Sequence, residues 1–144
     1  MENYLINNKT VALLKVKNKT IIYDVETKRV INKNIKKILE YNCLFYGSDL
    51  VGRKKSAAKI INIRYKIPLI INDNIILLQL NSIRCDECLF LVLNKLIDYK
   101  VNSNLLEIKC INNTIFNNKI SKNSFEKMII NGIKLNNYLN GKKM

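Results

Sequence analysis

The chain of 144 residues contains no histidine and no tryptophan, one proline, four glycines, and 11 acidic residues against 25 basic ones. Without histidine, the commonest general base and the commonest metal ligand are both missing, which excludes Ser-His-Asp triads and zincin-type sites. The shortage of proline and glycine, with 48% hydrophobic residues, excludes a largely disordered chain. No window approaches the roughly 18 uninterrupted apolar residues of a membrane span. The amino end, Met1-Glu2-Asn3-Tyr4, has no basic stretch leading into an apolar run. The expectation is a cytoplasmic protein with no membrane attachment, folded as one domain over residues 1–144.

What the chain has in excess is positive charge, formally +14 at pH 7, so a polyanionic partner is the first implication. Isoleucine and asparagine each supply about a sixth of the residues, with lysine close behind, a bias that A·T-rich coding alone produces. The placement of charge therefore says more than its sum.

Polar turns punctuate the amino-terminal third. Asn7-Asn8-Lys9, Lys17-Asn18-Lys19 and Glu26-Thr27-Lys28 separate short apolar runs, which predicts strands at Tyr4–Ile6, Val11–Val16, Ile21–Val25 and Arg29–Ile31. Ile35, Ile38 and Leu39 recur at helical spacing, which predicts a helix over about 33–44, ended by Gly47. Ser48 and Asp49 are N-caps for a second helix from Leu50 to about Ile63, with Leu50, Ala57, Ala58 and Ile61 on one face. Pro68 opens an edge strand through Ile71, and Asn72-Asp73-Asn74 turns into a strand over Ile75–Leu80. Three further strands are expected at Leu89–Val101, Leu105–Ile111 and Thr114–Ile120 as an antiparallel meander. A last helix is then capped by Ser124, with Glu126 in its first turn, buries Phe125, Met128, Ile129 and Leu135, and stops at Asn140-Gly141. The fold class is α+β: antiparallel β-hairpins and a meander with about three helices.

No acidic residue lies between Asp49 and Asp73, while Arg53, Lys54, Lys55, Lys59, Arg64 and Lys66 all do. On a helix Lys55 and Lys59 share one face, and Arg53 and Lys54 flank the apolar stripe, within reach of a phosphate row. Such a run also serves simply as a solvated face. Gly47 reads structurally as a helix C-cap and Gly52 as a close helix-packing contact. Phe45 and Tyr46 suit either base stacking or, more commonly, a core. Cys85-Asp86-Glu87-Cys88 has the pair spacing of a zinc knuckle, but only the isolated Cys43 and Cys110 could complete four ligands. Thiols without metal are the expectation, and no cofactor is called for.

The run Cys43-Leu44-Phe45-Tyr46-Gly47-Ser48-Asp49-Leu50-Val51-Gly52-Arg53-Lys54 resembles a segment of the competence transcription factor ComK family, with its Gly-Ser-x-x-x-Gly-Arg-Lys core. The likeness continues through Lys66-Ile67-Pro68-Leu69-Ile70, the hairpin Asn74 to Leu80, the Asn81-Ser82 and Arg84-Cys85 loop, and the Ser124-Phe125-Glu126 start of the last helix. The resemblance implies a DNA-binding activator of competence genes and not an enzyme. It implies a nucleoid-associated protein that reads A·T-rich double-stranded boxes mainly in the minor groove, with two or more copies per site. RNA polymerase and a protease adaptor are the implied protein partners. Gly52, Arg53, Lys54, Lys55, Lys59 and Arg64 are the candidate DNA contacts, with Arg29 on the amino-terminal hairpin as a second groove-entering arginine, because minor-groove binders insert Arg, Lys and Asn where A-tracts narrow the groove. A general binder of RNA or DNA without an activator role is the competing reading.

Overall fold

A computed structural model describes residues 3–64 and 66–142. Its elements run β1 (Thr10–Val16), β2 (Lys19–Asp24), β3 (Lys28–Ile31), α1 (Ile35–Phe45), α2 (Leu50–Ile61), β4 (Leu69–Asn72), β5 (Ile75–Gln79), β6 (Glu87–Val92), β7 (Leu96–Asn102), β8 (Leu105–Cys110), β9 (Ile115–Asn118) and α3 (Lys122–Lys142). The class is α+β, as the hairpin and helix signals predict.

Two antiparallel sheets organise the chain, one of six strands in the order β3-β2-β1-β6-β5-β4 and one of three in the order β7-β8-β9. The larger sheet joins two meanders through their inner strands, with Leu13 opposite both Ile22 and Phe90. Because side chains alternate across a sheet, Leu13, Ile22, Leu77 and Phe90 face one way. There they pack with Ile35, Ile38 and Leu39 of α1. Ala12, Leu78, Leu89 and Leu91 face the other way, onto Leu106, Ile108 and Phe116 of the second sheet and Phe125 and Met128 of α3. With both faces covered, β6 reads as an unbroken apolar run.

That run conceals a break. The single strand expected over Leu89–Val101 is two strands in different sheets, separated by a 3-10 turn at Leu93–Lys95. Apolar residues on both sides of the turn hide the change of sheet, and only Asn94-Lys95 interrupts them. The strand expected at Tyr4–Ile6 is also absent. This segment is buried, but its backbone pairs with a side chain: Ile6 N–H donates to Asn42 Oδ1 at 2.7 Å, and Asn42 Nδ2 donates to Tyr4 O at 2.9 Å and Ile38 O at 2.8 Å.

The helix ends follow local chemistry. Asn34 Oδ1 caps α1 by accepting from Lys36 N–H at 2.8 Å. Gly47, at φ +80°, ends it, with Gly47 N–H on Leu44 O and Ser48 N–H on Cys43 O, both at 2.9 Å. These two bonds make a Schellman closure. In α3 the cap is Ser121, not Ser124, since Ser121 Oγ accepts from Ser124 N–H at 3.1 Å. Glu126 consequently lies beyond the first turn, where it accepts from Tyr99 Oη at 2.8 Å. The helix continues through Gly141 because glycine in a late, exposed turn weakens a helix without ending it. Gly132 sets how closely α3 approaches the sheet: a Cβ there would lie 3.1 Å from Leu78 Cδ2 and from Leu93 Cδ2. Among the described residues no helix is long and apolar enough to cross a membrane.

Candidate nucleic-acid interface

The acid-free stretch folds as α2 and the connection to β4. Asp49 starts the helix by accepting from Gly52 N–H at 2.6 Å, and a Cβ on Gly52 would stand 3.0 Å from Asp49 Oδ1. Gly52 therefore makes room for the capping carboxylate and not for a neighbouring helix, which corrects the packing role expected for it. Only Leu50 and Ala57 of α2 are fully buried. Ala57 joins Ile70, Ile76 and Leu135, so α2 lies beside the β4 edge of the large sheet and against α3. The helix ends on Asn62, left-handed at φ 55°, whose N–H bonds Ala58 O.

With so narrow a buried stripe, most of α2 faces outward. Lys55 and Lys59 are exposed, as is Arg64 beyond the cap, and Lys54 is half-buried. The described ion pairs, Lys9–Glu26 and Lys100–Glu107, lie elsewhere, so none of these cations is in a salt bridge among the described residues, although Lys55 shares a surface cleft with Glu40 and Asp49. Lys66, left-handed at φ 51°, lines one cleft together with Lys54. Helical spacing could not show this, because a turn and not the helix brings Lys66 there.

Arg53 sits differently. It is half-buried, its Nη2 donates to Tyr46 O at 3.2 Å, and its Nε is enclosed without a partner. The guanidinium thus ties the start of α2 to the end of α1. Arg29 is exposed on β3, with its guanidinium 5.3 Å from the centroid of the Tyr4 ring. It lies on the edge of the large sheet opposite β4, so the fold gathers Lys54, Lys55, Lys59 and Arg64 on or just after α2 and leaves Arg29 apart from them.

The corner between α1 and α2 carries an apolar patch of Leu44, Phe45 and Val51, exposed by 69%, 58% and 63%. Tyr46 packs partly on the core, but Phe45 does not join it. It stands edge-on to Tyr46 with ring centroids 5.0 Å apart, against the core placement that apolar neighbours suggest.

All four cysteines are free thiols, three of them buried and Cys85 exposed. Cys43 and Cys88 belong to the core on the α1 side of the sheet and Cys110 to the core on the other side, so the fourfold-cysteine arrangement is not assembled. Among the described residues no three His, Cys, Asp or Glu side chains converge as metal ligands would. Burial pushes the Cys88 and Cys110 thiols up to about 11 and raises Cys43 as well.

One protein-family model, described as ComK protein, matches residues 1–143. No curated protein and no solved structure matches the chain.

Proposed function

Since the chain belongs to the ComK family of competence transcription factors, we propose that it activates transcription by docking α2 on A·T-rich duplex DNA, mainly through the minor groove. The observation that carries this reading is the row of cations on α2 and its exit, Lys54, Lys55, Lys59 and Arg64, in a stretch with no acidic residue from 50 to 72 and in no salt bridge among the described residues. Exposed ammonium groups neutralise phosphates and release condensed counterions, which supplies affinity without sequence preference. Preference comes from groove width and the acceptor pattern of A·T pairs, which Arg, Lys and Asn read. In this arrangement Lys55 and Lys59 hold the backbone, and Arg53 positions α2 through Tyr46 while its partly exposed side chain borders the groove. Arg29 is a separate contact, used only where DNA reaches the β3 edge. Two or more copies occupy one site, and the outer face of α3, where Ile130, Ile133 and Tyr138 are exposed, supplies the contact between them. RNA polymerase is the partner of the assembled complex.

The test is competition binding at fixed salt between an A·T-rich duplex, a mixed-sequence duplex and RNA. Preference for the A·T-rich duplex is expected. Equal affinities for all three would replace this reading with a general nucleic-acid binder.

A further inference from the structure

Beside α2, and apart from its outer face, a cleft of about 300 Å³ opens against the loop that joins β5 to β6. Three chain segments build it: Lys54 from α2, Lys66 from the exit of that helix, and the end of β5 with the loop after it, at Gln79, Asn81 and Ser82, over the apolar Ile67. Among the described residues no carboxylate lines it. Lys54 and Lys66 both line this one small cleft, so an anion entering it comes within reach of two positive side chains.

The loop side is held rigidly by bonds that do not involve the cleft cations. Lys15 Nζ donates to Ile83 O at 2.7 Å and Cys85 O at 2.6 Å. Asn81 and Asn118 exchange a reciprocal amide pair at 3.0 and 2.8 Å, and Asn81 O accepts from Gln79 Nε2 at 2.9 Å and Cys88 Sγ at 3.0 Å. Ser82 Oγ accepts from Arg84 N–H at 3.2 Å, which leaves its hydroxyl proton to be donated. A hydroxyl donor lining the same cleft as two lysines suits a tetrahedral monoanion with several acceptor oxygens.

We propose that this cleft seats one backbone phosphate of the bound duplex, gripped by Lys54 and Lys66 and hydrogen-bonded by Ser82. The inference rests on the DNA-binding reading and deepens it. A phosphate held from both the helix and the loop fixes the rotation of α2 on the duplex, which exposed lysines on one face cannot do.

Affinity for an A·T-rich duplex, measured over a salt series, tests it on the full chain. Lys54→Gln and Lys66→Gln should each weaken binding several-fold and flatten the slope of log K against log salt by about one unit. Together they should lose less than the product of the single losses, because both grip one phosphate. Ser82 is exposed, so Ser82→Glu should keep the thermal midpoint while weakening binding at least as much as the double variant. Inorganic phosphate at matched ionic strength should leave the midpoint of the free protein unchanged. Wild-type protein that binds duplex while all these variants match it would overturn the cleft and leave the DNA reading standing. Wild-type protein with no affinity for duplex would overturn both. A phosphate-dependent rise in midpoint that Lys54→Gln abolishes would make this a small-anion site, and selective loss of RNA binding would make it an RNA contact. Either result replaces the proposal.

Discussion

Asn42 has no exposed surface and uses its whole amide, taking Ile6 N–H and giving its two protons to Tyr4 O and Ile38 O. Asn42→Ala would leave Ile6 N–H and Tyr4 O buried without this partner, while Ile38 O keeps its helical bond, at a cost of about 2–4 kcal/mol. Urea unfolding should show this as a lower midpoint, and Asn42→Asp should not restore it, since a carboxylate cannot donate to the two carbonyls. The thiols supply a second residue-scale test. Cys85 alone is exposed, so brief alkylation at neutral pH should add one label, located at Cys85 by mass spectrometry. For Cys88 and Cys110 the folded values of about 11 stand above the ordinary 9.0, so the folded state holds those protons more tightly. The stability this contributes is complete below about pH 9 and is lost as pH rises toward 11. A denaturation series across that window should show it falling, less steeply in Cys110→Ala if that variant remains folded.

At the scale of elements, the proposed interface assigns positioning to Arg53 and phosphate contact to Lys55 and Lys59. Arg53→Ala removes the bond to Tyr46 O, so it should lower both the thermal midpoint and the affinity for DNA. Lys55→Ala and Lys59→Ala should leave the midpoint unchanged, weaken binding on every duplex, and each reduce the salt slope by about one unit. Midpoint measurements alongside salt titrations distinguish the two patterns. The same corner shows what the sequence makes legible. Asp49, Gly47 and the helical period of α1 and α2 are local signals, and each has its predicted effect. The Arg53 contact is not local in that sense, because it depends on the angle at which α2 leaves Gly47, and no residue type announces that angle. Tyr4–Ile6 has the composition of a strand yet pairs with a side chain 36 residues away, as the Ile6–Asn42 bond shows. Lys54 and Lys66 were visible as charge in an acid-free stretch, whereas their meeting with Ser82 needs the order of β4, β5 and β6.

For the whole molecule, a net charge of +14 means that affinity for any polyanion falls steeply with salt, so sequence preference has to be compared at fixed ionic strength. One module reading degenerate groove features discriminates weakly, and copies on adjacent boxes multiply affinity through effective concentration. A probe with two A·T-rich boxes in helical phase should bind with a steeper isotherm than a single box, and inserting half a turn should abolish the gain. Ile133→Lys, on the outer face of α3, should flatten the two-box isotherm and leave single-box affinity intact. Equal binding per box at every spacing would mean that each copy acts alone. The pairing of β1 with β6, Ala12 against Leu91, also governs how the chain comes to fold during synthesis. The first three strands leave the ribosome as a hairpin meander whose inner edge has no neighbour until residues 87–92 emerge, so the central seam of the protein closes late. Such long-range closure is slow, and a polypeptide halted before β6 would present the open edge of β1 to other chains, where strand addition leads to aggregation.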